Sequence, residues 1–502
     1  MLSTDKLCAV VAVPDVKSMQ VQVVRALRKT STVELRLDWL AGDAEITEFL
    51  LWLGKTSIGK GATLLATCRR RTAGGKYEGS IPTQIAHLER AIEAGCNWYD
   101  LEVESSSVCR PELLHILRRG RRLASAHFFD KLPGNLKAVA SALDRNRPAA
   151  IKIAAQCDSL AEARRLSSFA QARNDLIAIP MGEIAAPARI LALRERHGFA
   201  YAPAEAATAP GQTSLDEMQS VYRAEKLNRS TLVYGVIGDP ISHSLSPRMH
   251  NAAFASGRID AVYLPFLVRD LKDFVGSIKP LRIAGFSVTI PHKERILKYL
   301  DVCDPLAEAI GAVNTVVVRR GKLHGYNTDY VGILRSLERR IRLRGSRVLI
   351  LGAGGVARAV AFALAEAGAA VCICARRPVK ANELARVTRG TAMPRSALCK
   401  EFFDAIVNAT PVGMHPNSDE SPLDGPELNC RLVFDTIYRP RITRLLQLAT
   451  RRGIETVPGV EMFISQGAAQ WEMWTQKRAP VKVMQRAVLL ALEHEEEKRP
   501  AR

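Results

Sequence analysis

Short apolar runs recur along the first part of the chain about every 25 to 30 residues, at 7–13, 33–38, 63–69, 97–103, 122–128, 149–154, 175–180 and 198–202, with helix-like segments between them. Eight strand and helix units in roughly 215 residues, with continuous rather than alternating apolar character, predict a closed parallel (β/α)8 barrel. An open doubly wound sheet is the competing pattern. A polar Pro- and Ala-rich passage over 203–213 precedes a helix expected over 215–227 and a new strand at 231–237, which puts a domain boundary near 228–230 and the barrel at 1–228. The second half alternates strands and helices again, but its glycine-rich turn falls late, at Gly352. It therefore divides into a substrate lobe over 231–329, completed by C-terminal helices at about 460–493, and a nucleotide lobe over 330–459. The expected fold class is α/β throughout.

A length of 502 residues fits two large or three average domains. With 47% hydrophobic and 24% charged residues, the chain is neither disordered nor low in complexity. No apolar run approaches the ~18 residues of a membrane span, and residues 1–15 read as neither signal nor transit peptide, so a cytoplasmic protein without membrane partners is expected. Ten cysteines without a CxxC pair read as small buried hydrophobes in a reducing compartment, with no metal or disulfide framework. The excess of 71 Lys+Arg over 51 Asp+Glu, a net +20, points to acidic partners. Those charges are spread over helical segments, no zinc-finger or RNA-binding signature is present, and aromatics are 6%; steering of small carboxylates is expected, and no nucleic acid. Oligomeric state stays open.

Polar residues sharpen the picture because they gather at the carboxyl ends of the first eight runs, where a barrel builds its active site. Glu34, Arg36 and Asp38 alternate with apolar neighbours and point to one side of strand two. Arg69 ends strand three, Asp100 and Glu102 share a face of strand four, His127 ends strand five, and Lys152 stands between Ile151 and Ile153 on strand six. Strands five and six are neighbours about 4.8 Å apart, so His127 and Lys152 can converge on one substrate. A lysine among isoleucines is costly to keep charged, and a neutral amine attacks a carbonyl to form an imine. That imine acidifies the adjacent carbon for a base such as His127, so dehydration or aldol cleavage is the implied chemistry. A structural salt bridge of Lys152 with Glu102 or Asp100 is the competing role.

The ordered segments VELRLD (33–38), ATCR with GG and YEG (66–79), YDLE (99–102), SAHFF (125–129), IKIA (151–154), MGEI with Arg189, and APGQ (209–212) resemble a type I 3-dehydroquinate dehydratase over about residues 5–222. The resemblance implies Lys152 as Schiff-base lysine, His127 as general acid and base, Arg189 on the substrate carboxylate, and Glu34, Arg36, Arg69 and Gln212 on the hydroxyl-bearing ring. Thr208 stands where relatives often have a substrate-binding Ser. Ala73 stands where many bacterial relatives carry Glu, and Ala185 and Ala188 replace the usual Gly and Ser; these departures bear on rate and on loop closure.

In the second half, the run 347–351 followed by GAGGVA (352–357) and an Ala-rich helix has the GxGxxA spacing that lets backbone amides approach a pyrophosphate. Gly352, Gly354, Gly355, Val356 and Ala357 are the expected cofactor contacts. The next strand ends in Arg376 and Arg377 rather than an acidic residue, which favours a 2′-phosphate and hence NADP. The front lobe carries GDPISHSLSPRMHN (238–251), SVTIPHK (287–293), GAVNT (311–315) and YNTD (326–329). Two serine hydroxyls can bind a carboxylate, and Lys293 with Asp329 can manage the proton that accompanies hydride transfer to a ketone. Taken singly, Ser246 also reads as a helix cap, Asn314 as a turn residue and Asp329 as an N-cap.

Together with NATPVGM (408–414), DTIYRP (435–440) and GVEMFISQGAAQWEMWT (459–475), these motifs resemble shikimate dehydrogenase over residues 232–492. The resemblance implies Ser244, Ser246, Thr289, Asn314 and Gln466 as shikimate ligands with Tyr438 close by, Lys293 and Asp329 as the catalytic pair, and Asn408, Thr410 and Gly459 near the nicotinamide. Ala375, where many relatives have Asn, is expected to weaken the NADP preference without reversing it. The two families catalyse consecutive steps, so a fused enzyme taking 3-dehydroquinate through 3-dehydroshikimate to shikimate is expected. A quinate dehydrogenase with the barrel weakly active or a scaffold is the alternative.

Overall fold

The computed structural model describes residues 5–108, 117–195, 198–205 and 211–497. The chain forms two compact units: Met1–Thr231 with Lys272–Ser277, and Leu232–Leu271 with Ile278–Arg502.

The first unit contains β1 (Leu7–Val11), β2 (Thr32–Arg36), β3 (Thr63–Thr67), β4 (Trp98–Glu102), β5 (Arg121–Phe128), β6 (Ala150–Gln156), β7 (Leu176–Met181) and β8 (Ala200–Pro203). All eight are parallel, in the order β7-β6-β5-β4-β3-β2-β1-β8. The expected closed barrel is thus nearly closed: among the described residues β7 and β8 share no ladder. Arg189 spans this seam, donating to Pro180 O just inside the end of β7 at 2.6 Å and to Gly211 O beyond β8. Every residue of β1 and β4 is buried, as strands covered on both faces require. The flanking helices follow ordinary signals. In Ile81–Glu93, Ser80 caps the first turn, Pro82 occupies it, and Ile85, Leu88 and Ala91 form the buried stripe.

Two local expectations fail. The strand expected to reach Asp38 ends at Arg36, and Asp38 lies in the short 3-10 helix Leu37–Trp39, still buried. The helix expected over 215–227 stops at Ser220, because Arg223 adopts a left-handed φ of 51° that turns Tyr222 and Ala224 into the core; a 3-10 turn, Ala224–Lys226, follows.

The second unit holds two sheets. The front sheet comprises β9 (Leu232–Gly238), β10 (Ala261–Leu267), β11 (Ile283–Val288), β12 (Val302–Cys303), β13 (Thr315–Arg319) and β14 (Lys322–Tyr326), in the order β10-β9-β11-β13-β14-β12. The second comprises β15 (Arg347–Leu351), β16 (Ala370–Cys374), β17 (Thr391–Ala392), β18 (Phe403–Asn408), β19 (Cys430–Asp435) and β20 (Glu455–Val457). Its order, β17-β16-β15-β18-β19-β20, is parallel throughout and reverses at β15 and β18, the switch point of a doubly wound sheet. The helix Gly459–Thr475 returns to the front sheet, where Trp474 Nε1 donates to Val316 O at 3.1 Å. No helix among the described residues is long and apolar enough to cross a membrane.

Candidate active sites

Within the barrel, the register sets Lys152 on β6 beside Ser125 on β5. The side chains converge on Asp100, which is fully buried on β4. Its Oδ2 accepts from Lys152 Nζ at 2.5 Å and from Arg69 at 2.8 Å, and its Oδ1 accepts from Ser125 Oγ at 2.6 Å. Arg69 also donates to Ser125 Oγ at 3.1 Å and meets His127 Nδ1 at 3.0 Å. A guanidinium can only donate, so Nδ1 accepts and the ring carries its hydrogen on Nε2. Burial works against the Asp100 anion, but the Arg69 and Lys152 charges outweigh it and hold the carboxyl well below the usual range. Burial, reinforced by the same two cations, pushes His127 well below the usual imidazole value, so the ring is neutral at pH 7.

The other polar residues of this end are also partnered, because an unpaired buried charge is too costly to keep. Glu34 accepts from Thr67 Oγ1 at 2.7 Å, and Arg36 grips Asp38 through two bonds of 2.9 and 2.8 Å. Arg189 is spent on the carbonyls of Pro180, Gly182 and Gly211; burial lowers it to about 10, which leaves it charged at neutral pH. Gln212 is half-buried beyond β8, and Thr208 lies outside the described residues. Glu102 turns away from Lys152 and accepts from Arg70 N and Gln84 Nε2 at 3.1 and 3.0 Å.

In the second unit, Lys293 Nζ donates to Asp329 Oδ2 at 2.5 Å, and Asn314 Nδ2 to Asp329 Oδ1 at 2.8 Å. Asn314 Oδ1 accepts from Thr315 Oγ1 and Thr328 N, each at 2.7 Å, which fixes the orientation of the amide that donates to the carboxylate. Neither Asp329 nor Ser246 caps a helix: both are first helical residues, and no side-chain cap bond is made there. Ser244 Oγ accepts from Ser246 N at 3.3 Å, Thr289 follows β11 half-buried, Gln466 Nε2 donates to Phe463 O at 3.0 Å, and Tyr438 stacks on Phe463 with ring centroids 4.4 Å apart. Gln470, on the same helix as Gln466, bridges Ser287 Oγ at 2.9 Å and Thr315 Oγ1 at 3.1 Å.

The turn after β15 fits a dinucleotide. Gly352 has φ 110°, and a Cβ there would lie 3.0 Å from Ala409 O, so only glycine holds this close approach. The helix Gly355–Glu366 starts without a side-chain cap, which leaves its first N–H groups for phosphate. Gly354 has open space where a Cβ would stand, and Gly355 lies 3.7 Å, Cβ position to Cδ, from Lys293. Val356 and Ala357 pack into the core of the lobe, Ala357 completely, so Ala357 can offer a cofactor only its backbone. Arg376 and Arg377 stand exposed past β16. Asn408 is fully buried: it donates to Asp435 Oδ1 at 3.0 Å and accepts from Thr410 N and Oγ1, so it shapes the cleft through Thr410. A Cβ at Gly459 would lie 2.4 Å from Ile437 O.

Residues 7–229 match the type I 3-dehydroquinase family, 236–316 the shikimate dehydrogenase substrate binding domain, 347–429 a family described as NADP oxidoreductase coenzyme F420-dependent, and 459–489 the shikimate 5'-dehydrogenase C-terminal domain. The bifunctional 3-dehydroquinate dehydratase/shikimate dehydrogenase of Arabidopsis thaliana, a chloroplastic protein, is 33% identical over 505 residues, covering 94% of this chain and 82% of that one. The chain belongs to this bifunctional family. Shikimate dehydrogenase (NADP(+)) of Moorella thermoacetica is 43% identical, covering 53% of the chain and 96% of the relative. A crystal structure of a shikimate dehydrogenase in complex with NADP+ is 40% identical with a TM-score of 0.51, covering 53% of this chain and 97% of that one.

Against the family pattern, Ala185 and Ala188 are buried in the apolar cluster beside β5 and β6, and Ala73 is buried in the 3-10 turn Arg71–Ala73. The dehydratase half keeps one group that reasoning along the sequence left outside the substrate-facing set: Asp100, the hub of the lysine, arginine and serine bonds. Its strand position showed that it faces inward, but which cations it meets depends on the register of four strands. In the dehydrogenase half, Gln470 was missed for a similar reason, since only the return of the last helices brings it to Asn314.

Proposed function

We propose that Lys152 and His127 carry the first reaction and Lys293 and Asp329 the second. The chain is a bifunctional shikimate-pathway enzyme: it dehydrates 3-dehydroquinate to 3-dehydroshikimate and reduces that product to shikimate with NADPH. The observation that carries the reading is Lys152, a buried amine joined through Asp100 and Arg69 to a neutral histidine.

Lys152 sheds its proton and attacks the substrate ketone; the adduct loses water to a protonated imine. The imine withdraws electrons from the adjacent carbon, His127 takes the proton there, and the neighbouring hydroxyl leaves with it as water. Hydrolysis of the imine restores Lys152. Arg189 exchanges backbone carbonyls for the substrate carboxylate, a better bidentate partner, while Glu34, Arg36, Arg69, Thr208 and Gln212 meet the ring hydroxyls. Once Nη1 of Arg69 meets those hydroxyls while its Nη2 stays on Asp100, Nδ1 of His127 is released as the base.

In the second half, Ser244, Ser246, Thr289, Asn314, Tyr438 and Gln466 hold the substrate, and Asn314 also orients Asp329. Lys293 delivers a proton to the ketone oxygen, and Asp329 fixes where its ammonium points. The turn after β15, with Arg376 and Arg377, would hold NADPH, which when bound would supply the hydride. A cytoplasmic location belongs to this reading; the nine described cysteines, all free thiols, support it.

Separate assays test the function. 3-Dehydroquinate alone is expected to yield 3-dehydroshikimate, and adding NADPH to yield shikimate with matching cofactor oxidation. Failure of the first step with the second intact would reduce the protein to a dehydrogenase on an inactive barrel.

A further inference from the structure

The end of β19 carries a buried charge that neither reaction uses. Asp435 is fully buried, and its carboxylate accepts from Asn408 Nδ2 at 3.0 Å, Ile437 N at 3.1 Å and Thr443 Oγ1 at 2.6 Å. All three donors are neutral, and no ion pair to Asp435 exists among the described residues. Burial, partly offset by these bonds, raises the carboxyl to about 6, with no charged side chain contributing. A buried carboxylate is ordinarily matched by a cation, because three neutral donors replace only part of its hydration.

The position of this charge suggests what matches it. Cys374, Leu351, Asn408 and Asp435 are in register across β16, β15, β18 and β19, so they line the carboxyl edge of the sheet. Arg376 and Arg377 lie just past β16 at one end of that edge, and the capless helix N-terminus follows β15. A dinucleotide with its 2′-phosphate at the arginines and its pyrophosphate at the helix carries its other end over β18 and β19. There Thr410 is half-buried, and the fully buried Asn408 behind it bonds to both Thr410 and Asp435.

We propose that the Asp435 carboxylate is the counter-charge for the oxidised cofactor, favouring the cationic nicotinamide of NADP+ over the neutral dihydronicotinamide of NADPH. The inference rests on the cofactor reading given above. It assigns Asp435 a thermodynamic role: by stabilising the product form of the cofactor, the protein makes bound NADPH a stronger hydride donor. For one charge acting across a partly buried gap the preference is roughly tenfold, equivalent to a shift of ~30 mV in the bound two-electron couple.

The test is the dissociation constant of each cofactor form, measured by calorimetry on the full chain without substrate. In Asp435→Asn, which keeps the shape and can retain the bonds from Asn408 and Ile437, NADP+ is expected to bind about tenfold more weakly and NADPH within about twofold of the parent. Equal weakening of both forms would reduce Asp435 to a brace for the loop and overturn the proposal, as would no change in either. Absence of binding to the parent protein would instead overturn the cofactor reading, and the inference with it. Should the variant fail to fold, the parent itself decides. The groups facing Asp435 are the Asn408 amide from β18, the Thr443 hydroxyl at the start of the helix Arg444–Arg451 and the Ile437 N–H, none of which titrates. The ratio of NADP+ to NADPH dissociation constants is therefore expected to rise severalfold as the pH falls through about 6. Protonation of the 2′-phosphate affects both forms alike and cancels in the ratio. A flat ratio would contradict the proposal.

Discussion

Each half of the chain holds a lysine against an aspartate at 2.5 Å, yet the two pairs are built differently. In the barrel, Asp100 has two cations, Lys152 and Arg69, and the whole cluster is closed from solvent. In the dehydrogenase half, Asp329 has one cation, Lys293, and its other oxygen is met by a neutral amide. The difference matters when each lysine gives up its proton. Lys152 loses its charge when it sheds its proton to attack, and a buried carboxylate then left alone costs several kcal/mol. Arg69 stays on Asp100 and removes that cost. Lys293 also loses its charge when it delivers its proton, but its pair is less buried, with side-chain exposures of 13% and 7% against 5% and 0%, and Asn314 keeps a hydrogen bond on the carboxylate.

This contrast can be broken at either end. Lys293→Ala is expected to lower dehydrogenase turnover by roughly 10²–10⁴-fold, the range for a lost general acid, and to leave dehydration unchanged; assaying the two half-reactions separately checks it. His127→Gln should lower dehydration by a similar or smaller factor without touching NADPH oxidation. Asp100→Asn strands two buried cations and is expected to cost about 3–5 kcal/mol of stability in the first unit, whereas Asp329→Asn strands one and should cost less; urea unfolding followed by a probe in each half compares them. Equal losses would remove the distinction drawn here. Arg376→Ala, the smallest effect, is expected to weaken NADPH binding by about tenfold and NADH binding hardly at all, read from the two dissociation constants.

Much of this was legible along the chain. The eight apolar runs of the first half became β1 to β8 because a strand covered on both faces needs continuous apolar residues, a local property. The turn at Gly352 was equally local. What was not legible depends on contacts between distant segments. Lys152 was read as an amine made neutral by its isoleucine neighbours, but those neighbours face outward into the apolar cluster while Lys152 itself meets Asp100. The bonds of the Asn314 amide with Asp329, Thr315 and Thr328 were equally out of reach of a reading along the chain. The helix expected over 215–227 ended at Ser220, ahead of the buried Tyr222 and the left-handed Arg223.

The most direct test of the account is borohydride reduction of the full chain in the presence of 3-dehydroquinate, followed by mass measurement and peptide mapping. The prediction is one covalent adduct per chain, on Lys152, absent in Lys152→Ala, with dehydrogenase activity intact in that variant. Dehydration that continues in Lys152→Ala, or an adduct mapped to any other lysine, would contradict it.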